Sequence, residues 1–219
     1  MKFVALISGG KDSIFNILKL VEAGHELVCL ANLYPVGKGE LDSYMYQSVG
    51  SEMIELVAEC LDKPLYRRPI TGTPVRLEME YDGKNSEGDE VEDLYLLLKE
   101  IKEKYPDVVG VSSGAINSTY QKNRVENLCE RLDMISLALL WEVPQKELLD
   151  DMISNNMNSI LIKVASYGLD KKCLNKTLAE MKPTLYKLSD EFGGHVCGEG
   201  GEFESLTLDC PLYKKKIVM

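Results

Sequence analysis

Residues 1–7 form an almost unbroken apolar run, which predicts a buried strand rather than a half-exposed one. Ile14, Phe15, Ile17, Leu18 and Val21 then recur at helical spacing, and Gly24 closes that helix. A second strand is predicted over 25–34. After Pro35, Gly37 and Gly39 mark a loop. Met53, Ile54, Leu56, Val57, Cys60 and Leu61 share one helical face, and 64–70 reads as a short third strand. Residues 71–90, rich in Gly, Pro and acid, break the periodicity. They read as a solvated insertion, with a clasp for a partner as the alternative. The helical period returns through Leu94, Leu98 and Ile101. There follow a strand and Ser/Gly turn over 107–115, a helix at 117–131, a strand at 134–141, a helix at 145–153 and a strand at 159–166. Beyond about residue 170 the alternation loosens into a helix near 174–192, a Gly/Glu-rich turn and a last apolar strand.

Strands alternating with helices give βαβ units and a mostly parallel sheet. Ligands of such sheets sit beyond the carboxyl ends of the strands. Those ends carry Ser8–Ser13, Asn32–Pro35, residues 112–115 and Trp141, so one edge is expected to form the site wall.

The formal charge of −10 disfavours direct binding of nucleic acid, which depends on neutralising phosphates. Six scattered cysteines make no C-x-x-C, and with two histidines they offer no zinc-ligand spacing. Reduced buried thiols are expected, hence a reducing, cytoplasmic setting. The first apolar run is too short to span a bilayer, so no membrane association is expected.

The chemistry concentrates in SGGKDS, residues 8–13, between a buried strand and a helix. Helix N-terminal amides make an anion site, and Gly9 and Gly10 let phosphate oxygens approach the backbone. Lys11 adds a point charge, and Ser8 and Ser13 add hydroxyls. The spacing fits neither G-x-x-x-x-G-K-[ST] nor G-x-G-x-x-G. A plain capped turn is the bland alternative.

SGGKDS after the first strand resembles the signature of the N-type ATP pyrophosphatases. ELDSYMYQSVG (40–50), PLYRR (64–68), GAINSTYQKNRVENLCERL (114–132), LLW (139–141), GEGGEFES (198–205) and LDCP (208–211) extend the resemblance to the diphthine–ammonia ligase family over nearly the whole chain. It implies an adenine nucleotide alpha hydrolase-like, Rossmann-like α/β fold: a five-stranded twisted parallel sheet flanked by helices. Residues 1–168 would form this pyrophosphatase domain, and residues 169–219 a small C-terminal α+β portion that binds substrate.

The implied reaction is ATP-dependent amidation of the diphthine carboxylate on elongation factor 2 with ammonium, through an acyl-adenylate. Ser8, Gly9, Gly10, Lys11 and Ser13 would hold the phosphates, while Asp12 would help place Mg²⁺. Ala31, Asn32 and Gly114 would line the nucleoside. Lys11, Glu199 and Glu202 take the catalytic roles, with Glu202 against the trimethylammonium and Glu199 as base for ammonium. Gly200, Gly201 and Glu204 complete the acidic turn, whose bland reading is a turn entering a strand. Gln121 and Arg124 are candidates for substrate or phosphate, with a solvated helix face as the alternative. Tyr34, Tyr44 and Trp141 are candidate substrate walls or core residues. A tRNA-modifying enzyme of the same superfamily and a non-catalytic ATP sensor are the competing functions. Monomer and homodimer stay open.

Overall fold

The computed structural model describes residues 1–37, 43, 45–84 and 86–219. Seven strands and six helices are named among them. They are β1 (Lys2–Leu6), α1 (Lys11–Glu22), β2 (Glu26–Pro35), α2 (Ile54–Leu61), β3 (Leu65–Ile70), α3 (Glu90–Lys104), β4 (Val108–Ser112), α4 (Thr119–Arg131), β5 (Ile135–Leu137), α5 (Gln145–Ser154), β6 (Asn158–Val164), α6 (Leu178–Phe192) and β7 (Phe203–Asp209). The first five strands form one parallel sheet in the order β3-β2-β1-β4-β5. The order reverses at β1/β4, and such a switch point opens a crevice at the strands' carboxyl ends.

The sheet is buried on both faces, which is why β1 reads as continuous apolar sequence. Phe3 and Ala5 pack with Ile14, Phe15, Ile17 and Leu18 of α1 and with α2, α5 and α6. Val4 lies on the other face with Cys29, Ala31 and Leu33 of β2 and the apolar stripe of α3. Asn16, fully buried within this arrangement, donates to Ser112 Oγ (2.8 Å) and the Leu137 carbonyl (2.7 Å) and accepts from Leu139 N–H (2.8 Å). It thereby fixes α1 against the ends of β4 and β5.

Three expectations need correction. β5 is only three residues long, because the chain turns after Leu137, with Trp141 N–H donating to the Ala138 carbonyl. β6 does not extend the parallel sheet. It pairs antiparallel with β7, so this two-stranded sheet takes one strand from each side of position 168. Residues 71–90 are not a loose insertion. Asp93 accepts from Thr71 N–H, Thr71 Oγ1 and Gly72 N–H, while Asp89 accepts from Val75, Arg76 and Val91 N–H.

Candidate active site

The turn after β1 is shaped by its own side chains. Gly9 takes a left-handed φ of 79°, where an L side chain would be strained. Gly10 N–H donates to Ser8 Oγ (3.3 Å), and Ser13 Oγ donates back to the Gly10 carbonyl (3.0 Å). Gly10 caps α1 without a side-chain acceptor, and first-turn amides have no intrahelical carbonyl, so this end is electropositive. Gly114 serves packing as well as lining. A Cβ there would lie 2.6 Å from Ser13 N, so only glycine lets the β4 turn approach α1 this closely.

Lys11 is 2% exposed. Its Nζ donates to Asp12 Oδ2 (2.8 Å) and lies 5.0 Å from the centroid of the Phe203 ring. Burial opposes charge on Lys11, yet the Asp12 carboxylate and nearby Glu204 hold its pKa above the ordinary lysine value. Burial lifts the Asp12 carboxyl above its usual range, against the pull of Lys11. Asp12 Oδ1 is buried with no hydrogen-bond partner.

Lys11 N–H donates to Ser205 Oγ at 3.1 Å, and Thr207 N–H donates to the Gly9 carbonyl at 2.9 Å. β7 is therefore docked on the turn, and the two ends of the chain form one cleft of about 950 Å³. Ser8, Lys11, Asp12, Ser13, Ala31, Asn32, Gly114, Gln121, Glu199, Gly200, Gly201 and Glu204 all line it. Gly9 and Gly10 belong to the same turn but are not among the lining residues. Asn32 has its side chain committed, donating to the Ile7 carbonyl (2.9 Å) and accepting from Arg67 Nε (2.9 Å). Gln121 donates through Nε2 to the Met45 carbonyl (3.4 Å), linking α4 to the segment 45–49 on the opposite wall.

Glu199 is occupied structurally. Its carboxylate accepts from Ile116 (3.0 Å), Asn117 (2.7 Å) and Ser118 (3.1 Å) N–H, clamping the acidic turn to the entry of α4. Glu202 is placed off the cleft wall, with its carboxylate accepting from His195 N–H (2.9 Å). Arg124 is neither solvated nor on the wall. Fully buried, it donates to the Tyr120, Arg76 and Glu78 carbonyls and stacks on Tyr120, Cζ 3.3 Å from the ring centroid. Trp141 lies off the cleft beside Lys122, and Tyr34 beneath the Arg67 guanidinium. Tyr44 lies outside the described residues.

Sequence reasoning missed His195, Asn117, Phe203, Lys163 and the apolar wall of Leu77 and Met79. His195 stands just before the acidic motif. Its Nδ1 faces Cys197 N–H (3.2 Å), and its Nε2 lies 3.2 Å from Asn117 Nδ2. Burial lowers the imidazole pKa, against the pull of Glu199. Lys163 was legible as the one charge interrupting an apolar strand.

The 3-2-1-4-5 parallel sheet with its glycine–lysine turn at the switch point defines an adenine nucleotide alpha hydrolase-like α/β protein. Residues 1–136 match the family model of the diphthamide synthase N-terminal domain, and residues 144–219 that of the C-terminal domain. The chain belongs to the diphthamide synthase family. Its whole length is 55% identical to the diphthine–ammonia ligases of Danio rerio and Homo sapiens, covering 86% and 83% of those proteins. It is 54% identical to that of Schizosaccharomyces pombe, of which it covers 36%.

Proposed function

We propose that the chain amidates the diphthine carboxylate of elongation factor 2 with ammonium at the expense of ATP. A carboxylate oxygen attacks the α-phosphorus, the bond to the β-phosphate oxygen breaks, and pyrophosphate leaves with the electron pair. Ammonia then displaces AMP from the acyl carbon, losing a proton as the amide forms. The observation that carries this reading is the 3.1 Å hydrogen bond from Lys11 N–H to Ser205 Oγ. It joins a phosphate-type turn to the acidic C-terminal motif in a single cleft.

The α1 N-terminus, Ser8, Ser13 and Lys11 suit the triphosphate, where preorganised donors stabilise developing charge. Leu6, Ala31, Leu33, Met45, Leu94 and Val125 suit the flat apolar face of adenine. Glu204 is the motif glutamate we place against a trimethylammonium, replacing Glu202 in that role because it lines the cleft, and Phe203 beside it offers an aromatic surface. Glu199 holds the two halves of the site together.

Among the described residues no cluster of three or more His, Cys, Asp and Glu offers an all-protein metal site. Mg²⁺ on a nucleotide needs only one or two carboxylates besides phosphate and water. The unpartnered Asp12 Oδ1 fits that need. There the ion would neutralise phosphate charge.

Among the described residues no helix is long and apolar enough to cross a membrane, and the six cysteines are unpaired. Free thiols agree with a cytoplasmic setting.

The test is incubation with ATP, ammonium and elongation factor 2 bearing diphthine. AMP and pyrophosphate should appear only when the modified protein is present. AMP formed on tRNA instead would favour the modifying-enzyme alternative, and ATP bound without turnover would favour a sensor.

A further inference from the structure

Resting on that reading, the geometry points to Lys163 as the cation that holds the substrate carboxylate for adenylation. In the antiparallel ladder of β6 and β7, Lys163 lies directly opposite Glu204. Both side chains line the cleft, and both are half-buried. Residues opposite one another in such a ladder have Cβ atoms about 5 Å apart. The next residue along β7 is Ser205, whose hydroxyl takes the Lys11 N–H. The cation and anion therefore stand side by side at the phosphate turn.

Diphthine is a zwitterion in which a carboxylate and a trimethylammonium neighbour each other. A fixed lysine–glutamate pair presents the complementary arrangement: Glu204 toward the trimethylammonium and Lys163 toward the carboxylate. Among the described residues the other lysine lining the cleft, Lys11, is almost wholly buried and bound to Asp12 at the glycine–lysine turn. Arg124, a sequence candidate for substrate or phosphate, donates to backbone carbonyls instead. A carboxylate approaching a nucleotide meets like charge, and a cation on the substrate side offsets it. The work of Lys163 is to aim a carboxylate oxygen at the α-phosphorus.

The test compares wild-type protein with Lys163→Met and Lys163→Arg in three measurements. These are ATP affinity by calorimetry, affinity for elongation factor 2 bearing diphthine, and AMP formation dependent on that protein. Lys163→Met should lose on the order of 100-fold in AMP formation and bind the modified protein more weakly, while ATP affinity stays within about twofold. Lys163→Arg should recover part of the loss. Preserved ATP affinity also certifies that the variant is folded. Wild-type AMP formation in Lys163→Met would overturn the assignment. So would a loss of ATP affinity in folded Lys163→Met protein, judged by its circular dichroism, because it would put Lys163 on the phosphates. Absence of AMP formation in the wild type is a different failure, that of the amidation reading itself.

Discussion

Glu202 and Glu204 have the same side chain in the same motif, yet their surroundings assign them different work. Gly198, Gly200 and Gly201 all take left-handed φ values, and this tight turn brings the Glu202 carboxylate back onto His195 N–H. The Glu202 carbonyl meanwhile accepts from Ala165 and Ser166 N–H. Glu202 thus closes the turn, whereas Glu204 inside β7 lines the cleft. Glu202→Gln retains a carbonyl oxygen that accepts the same N–H, and its diphthine-dependent AMP formation is expected within about threefold of wild type. Glu204→Gln removes the charge proposed to face the trimethylammonium. If Glu204 has the proposed role, the change is expected to lower that rate on the order of 100-fold, with ATP affinity unchanged. Steady-state AMP assays on both variants decide the matter, and the reverse ranking would return the role to Glu202.

At the scale of elements, what could be read from sequence was whatever depends on neighbours along the chain. β1 and α1 announce themselves because an apolar run, a glycine–lysine turn and a 3.6-residue period follow one another within 22 residues. The pairing of β6 with β7 was not legible, since no local pattern says which sheet an apolar strand joins. The buried position of Arg124, a candidate substrate or phosphate ligand by sequence, was not legible for the same reason. Two of the carbonyls that satisfy it, Arg76 and Glu78, lie more than forty residues away, in a segment whose composition suggests solvent. That segment carries Leu77 and Met79 along the cleft wall, so Arg124 acts on the site through a loop. Arg124→Leu is expected to cost about 3 kcal/mol by stranding buried carbonyls, and to raise protease sensitivity around residues 76–80. Arg124→Lys should not restore stability, because one ammonium cannot reproduce the planar fork. Urea unfolding of both variants gives the answer. Full rescue by lysine would point back to a simple charge role.

For the molecule as a whole, the acidic balance makes pH dependence the sharpest probe of the buried interior. Glu90, at the first position of α3, is fully buried. Its Oε1 accepts from Ser43 Oγ (3.0 Å), while Oε2 has no partner. Burial raises its pKa from 4.5 to about 7, with Asp89 and Asp93 adding to the rise and Ser43 and Arg124 opposing it. Between those two values the folded protein binds more protons at this site than the unfolded chain does. Stability therefore falls as pH rises through the window, the opposite of a salt-bridged carboxylate. The net charge of −10 adds a general self-repulsion on the alkaline side, so the wild-type profile alone would not isolate Glu90. Glu90→Gln carries nearly the same background charge, keeps an oxygen for Ser43 and cannot ionise. The stability difference between Glu90→Gln and wild type should therefore widen in favour of the variant by about 2 kcal/mol from pH 5 to pH 8. Chemical denaturation at the two pH values measures it. A difference that stays flat would mean that Glu90 remains ionised in the folded protein, with its charge compensated by Arg124.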